Sequence, residues 1–83
     1  MKQKKWKSTF KTQDIRNAFG DNFNVYYTRK SSWWVMPRYG FGAYAIEHTE
    51  KGWLVLDRHR DKKLTCETLE DVVSLITKLS RKG

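Results

Sequence analysis

His59 stands within Asp57-Arg-His-Arg-Asp61, and Glu47 belongs to the preceding strand of the same hairpin. An imidazole beside carboxylates is the pairing that general acid–base chemistry uses. The rest of such a site is missing from the sequence. There is no phosphate-cradling glycine loop, and strand alternation sends His48 to the face opposite His59. Two carboxylates and one imidazole occur in such an arrangement too readily by chance to mark a metal site. A charge run where a strand enters a loop reads more simply as solvated edge, so the chain is read as a non-enzyme without metal or cofactor. Cys66 is the only cysteine; it can form neither an internal disulfide nor a cysteine zinc site, and nothing near it in sequence activates it as a nucleophile. A reducing cytoplasm is the expected compartment.

Charge points elsewhere. Seventeen Lys and Arg against nine Asp and Glu leave the chain at +8, with a pI near 9.8, the range in which a polyanionic partner is considered first. Lys2, Lys4, Lys5, Lys7 and Lys11 fall in the first eleven residues with no acid among them. This basic tail either grips phosphate or only solubilises the chain end. Arg29, Lys30, Arg38, Arg58, Arg60, Lys62 and Lys63 are the further phosphate candidates. Aromatic rings interleave with them: twelve residues are Phe, Trp or Tyr. Trp33 and Trp34 are adjacent in a strand, so they point to opposite faces and one core cannot take both. Which of the two faces outward is open; Trp33, with Tyr39, Phe41 and Trp53, forms the candidate aromatic surface for stacking bases or anchoring a protein.

Arg38-Tyr-Gly-Phe-Gly-Ala-Tyr-Ala-Ile46 resembles in part the aromatic, glycine-spaced strand of RNA-recognition motifs. Ala43 stands where that pattern has an aromatic, the basic residue comes one position early, and 83 residues leave no room for split βαβ units, so no family is assigned. The simpler reading makes Gly40 and Gly42 a turn or bulge after Pro37, with Tyr44 in the core. An order of helix, strands and helix also occurs in double-stranded-RNA readers, but Glu67, Glu70 and Asp71 at the start of the last helix would repel phosphate there.

The elements that must position these residues fit one small domain, residues 12–83, after a tail over 1–11. Thr12 to Gly20 reads as a short helix capped by Thr12, burying Ile15, Ala18 and Phe19 and closed by Gly20. Val25–Thr28 and Trp33–Met36 form one hairpin. Ala43–Thr49 and Trp53–His59 form a second around a three-residue loop, Glu50-Lys51-Gly52. That loop places Thr49 opposite Trp53 and gathers Tyr44, Ile46, Leu54 and Leu56 on one face, leaving Trp53 on the other with Ala45, Glu47, Val55 and Asp57. From Thr68, Leu69, Val72, Val73, Ile76 and Leu79 recur at helical spacing, and Lys78, Arg81 and Lys82 suit the negative end of that helix. The expected fold is α+β: a short amino-terminal helix, a four-stranded antiparallel sheet of two hairpins, and a carboxy-terminal amphipathic helix on one sheet face. No apolar run reaches the roughly 20 residues needed to span a bilayer, and no hydrophobic region follows the lysines as in a secretion signal.

Two functions follow as expectations. The first is a non-enzymatic nucleic-acid-binding module, for DNA or RNA with weak sequence preference. The second is a small inhibitor or adaptor that binds a larger enzyme through an exposed aromatic sheet face. Glu47 and Asp57 beside Trp53 oppose phosphate on that face, which would move any nucleic acid to the tail and rim.

Overall fold

A computed structural model describes residues 8–40 and 42–81. Helix α1 (Thr12–Phe19) leads into strands β1 (Phe23–Arg29), β2 (Ser32–Pro37), β3 (Tyr44–Thr49), β4 (Gly52–Asp57) and β5 (Lys62–Cys66), followed by helix α2 (Leu69–Arg81). The strands form one antiparallel sheet in chain order. The α+β architecture is as expected, but the sheet has five strands rather than four.

The fifth strand, Lys62–Cys66, carries its alternation behind two lysines. Leu64 and Cys66 turn inward while Lys63 and Thr65 are exposed, a lysine-bearing pattern that also discourages pairing of an edge strand with other chains. The opposite edge is blunted differently: Arg16 of α1 donates from Nε and one Nη to the Val25 carbonyl at 3.2 and 3.1 Å.

Both helices pack on one face of the sheet. Ile15 and Phe19 of α1 and Val72 and Ile76 of α2 meet Val25, Trp33, Val35, Tyr44, Ile46, Trp53 and Val55 in a single core. The hairpin register differs from the expectation by one residue. Thr49 pairs with Gly52, His48 with Trp53, Ile46 with Val55 and Tyr44 with Asp57, because Glu50 and Lys51 alone make the turn and Gly52 already belongs to β4. A one-residue shift moves every side chain of a strand to the other face. Trp53 is therefore 3% exposed, whereas Leu54 and Leu56 leave the core side. Gly52 has φ +137°, and a Cβ there would lie 2.7 Å from the Cys66 carbonyl oxygen of β5.

Trp33 is likewise buried, at 2% exposure, and its indole N–H donates to the Thr12 hydroxyl at 3.1 Å. Thr12 is thus the first helical residue rather than the cap; the Lys11 amide donates to the Asp14 carboxylate at 2.8 Å. Ser8 and Phe10, within the segment read as a tail, pack on the same core. Ser8 Oγ and His48 Nδ1 share a 2.6 Å hydrogen bond, Phe10 lies against His48 and Trp53, and His48 stacks on Trp53 with centroids 4.4 Å apart. Burial holds the His48 imidazole below its ordinary value.

Asp57 ends β4 on the core side at 1% exposure. One carboxylate oxygen accepts from the His59 and Arg60 amides, and the other pairs with the Arg60 guanidinium at 2.8 Å, closing the turn into β5. Burial opposes ionisation, but the hydrogen bonds and charge of Arg60 outweigh it and hold the carboxyl below its ordinary 3.8. A depressed folded value means a stabilising contribution that is present at neutral pH and lost as pH falls from the ordinary carboxylate range through the folded value. Asp57→Asn is expected to lower the melting temperature at neutral pH, with the gap to wild type narrowing as both are melted at successively lower pH below about 4.

Candidate nucleic-acid interface

The register that buries Trp33 and Trp53 turns Trp34 outward. Cross-strand partners align Tyr26, Trp34, Ala45, Leu56 and Lys63 in one row over all five strands, and Arg29, Ser32, Glu47, Leu54 and Thr65 in the row beside it. No described helix or loop covers these rows, since α1 and α2 both contribute to the core on the other side. Tyr26 is 51% exposed, while Trp34, Leu54 and Leu56 are half-buried by their neighbours.

Ala45 gives the face its relief. It is the small member between Trp34 and Leu56, which stand two strand spacings apart, about 10 Å. A cavity of about 210 Å³ opens there, walled by Trp34, Leu54 and Leu56 and bordered by Thr28, Arg29, Ser32, Glu47 and Arg58. The Arg58 guanidinium is 5.6 Å from the centre of the Trp34 ring, within cation–π range. Arg29, Arg58 and Lys63 are exposed around the two rows; Glu47 is the only acid within them. Ser32 is 6% exposed, and its Oγ is buried with no hydrogen-bond partner among the described residues. A hydroxyl left unpaired costs about 1–3 kcal/mol, so this one is a ready partner for a water or a ligand group.

The sequence-derived candidates divide. Arg29, Arg58 and Lys63 come together on the open face. Arg38 stands by the β1 edge, its Nε donating to Asn24 Oδ1 at 3.1 Å. Lys30 lies in the β1–β2 turn, Lys62 at the start of β5 and Lys11 just before α1. Arg60 is committed to Asp57 and the Tyr44 hydroxyl on the core side. Trp33 and Trp53 are corrected from surface to core: Trp53 because the β3–β4 turn is two residues long, and Trp33 because it pairs with the core residue Ile46 and so shares its face. Tyr39 is 85% exposed but lines a cleft with Pro37, Gly40, Ser80 and Arg81, away from Trp34. Lys2, Lys4, Lys5, Lys7 and Phe41 lie outside the described residues. Tyr26, Leu54 and Leu56 were not anticipated as surface; their signal is the alternation that follows once Trp33 and Trp53 share a face.

The acid–base grouping does not assemble, since Glu47 is on the open face and Asp57 on the core face. No group of three or more His, Cys, Asp or Glu among the described residues could hold a metal. Burial, reinforced by the Asp71 carboxylate, pushes the Cys66 thiol up, away from the reactive thiolate. No helix among the described residues is long and apolar enough to cross a membrane. In comparisons with known proteins, the chain matches no family model, no curated protein and no solved structure.

Proposed function

We propose that the chain is a small non-enzymatic module that binds unpaired nucleic acid on the open face of its sheet. The observation that carries this reading is the pairing of Tyr26 with Trp34 on an uncovered face bordered by Arg29, Arg58 and Lys63. Aromatic rings stack on any base whose face is free, and cations around them follow the phosphates. A duplex hides those base faces, so the surface favours single strands. Arg58 holds the Trp34 ring in the free protein and can turn to a phosphate when a base occupies it. Asp57, which weighed against phosphate when placed beside Trp53, lies on the core side with Arg60, so only Glu47 remains to oppose an anion on this face. The unpaired Cys66 suits a cytoplasmic setting.

A protein partner is the second reading, supported by the aliphatic portion of the face, Leu54, Leu56 and the 40% exposed Met36. Anisotropy titration with labelled single- and double-stranded DNA and RNA over a salt series separates the two. Tighter binding of single strands, weakening steeply with salt, supports the nucleic-acid reading; no binding of any strand at low salt refutes it. Deleting residues 1–7 removes four lysines. If they contact phosphate, the log–log salt slope for a single strand should flatten by up to about 3, at about 0.7 per contact.

A further inference from the structure

We infer that the cavity over Ala45 takes one unpaired guanine, read by the Glu47 carboxylate. This rests on the nucleic-acid reading of the same face and names the base that the face would prefer. The cavity, at about 210 Å³, is smaller than the roughly 300 Å³ at which sites for drug-sized ligands begin. It therefore suits one planar ring system between the Trp34 ring and the Leu54 and Leu56 side chains, with sugar and phosphate left outside beside Arg29 and Arg58.

Charge at its border selects among bases. Glu47 is the one carboxylate in two rows otherwise bordered by cations, and no ion pair or hydrogen bond among the described residues engages it. It stands on the central strand between Ser32 and Leu54 of the neighbouring strands, toward the end of the sheet where the β1–β2 and β3–β4 turns lie. An ionised carboxylate only accepts hydrogen bonds. The Watson–Crick edge of guanine offers two adjacent donors, N1–H and the N2 amino group, which match its two oxygens. Cytosine and adenine each place a ring-nitrogen acceptor beside their single amino group, and thymine and uracil flank N3–H with two carbonyls, so each would set an acceptor against the carboxylate. Arginine complements the other side of the same base, since guanine O6 and N7 are both acceptors. The buried Ser32 hydroxyl adds an independent sign of an incomplete site: it borders the same cavity, is cross-strand partner to Glu47, and has no hydrogen-bond partner in the described chain.

The test uses the full chain and short fluorescent oligothymidylates whose central position is thymine, guanine, hypoxanthine, adenine or cytosine, in anisotropy titrations at low salt. The central guanine should tighten binding about tenfold over thymine, hypoxanthine, which lacks the N2 amino group, should lose most of that gain, and adenine and cytosine should give none. Glu47→Gln should bind the guanine and thymine oligonucleotides with equal affinity, with an unchanged melting temperature. Because the hypoxanthine comparison needs no substitution, it stands whatever that variant does to folding. Oligothymidylate binding without a guanine preference, or with a preference that survives in a folded Glu47→Gln protein, overturns the inference and leaves the nucleic-acid reading intact. Failure of every oligonucleotide to bind overturns both.

Discussion

Trp53→Ala is expected to destabilise the fold by about 3–5 kcal/mol. At 3% exposure the ring contacts Phe10, His48 and Trp33, so truncation removes a large buried apolar surface and opens a cavity in the core. A domain of this size has only about 4–12 kcal/mol in total. A loss of that order lowers the melting temperature by more than about 12 °C. Chemical denaturation of the variant beside wild type measures it; a midpoint within the error of wild type would show that Trp53 is not in the core. Any loss of ligand binding in this variant should be accounted for by the loss of folded protein.

Trp34→Ala should behave in the opposite way. Its side chain is half-buried on the open face, so its removal costs less stability than that of Trp53, while one stacking platform disappears. Stacking of a base on an aromatic ring contributes about 1–3 kcal/mol, which weakens single-strand affinity about five- to 150-fold. Melting and anisotropy titration on the same preparation check both halves. A variant that keeps wild-type affinity removes Trp34 from the site, and one that melts as low as Trp53→Ala removes it from the surface.

The contrast between these neighbouring tryptophans shows where the sequence was legible. Helices α1 and α2 could be read because their apolar residues recur at a period no strand shares. The carboxylates around Thr68 and the basic residues after Ile76 marked the ends of α2. The β3–β4 register was not readable in the same way. Trp53-Leu-Val-Leu56 is apolar at every position, so alternation does not say which pair is inside, and Gly52 fits equally as the last residue of a three-residue loop or the first of a strand. The choice is made by contacts distant in sequence: the carbonyl of Cys66 closes against Gly52, and Phe10 and His48 complete the pocket for Trp53. Strand β5 was hidden because lysines occupy its first two positions. The site followed the register. Arg29, Arg58 and Lys63 were visible as candidates by charge alone, whereas the rings they surround could be assigned only once the sheet faces were known.

The central claim, that the open sheet face is where a single strand binds, is tested most directly by amide chemical-shift mapping of the isotope-labelled chain titrated with a short single-stranded oligonucleotide at low salt. The expected perturbations concentrate in Tyr26, Trp34, Ala45, Leu56 and Lys63 and in the flanking Arg29, Glu47 and Arg58, and leave the exposed side of α2 around Ser74 and Lys78 unmoved. Perturbations centred on α1 or α2 instead, or spectra unchanged at saturating oligonucleotide, would contradict it.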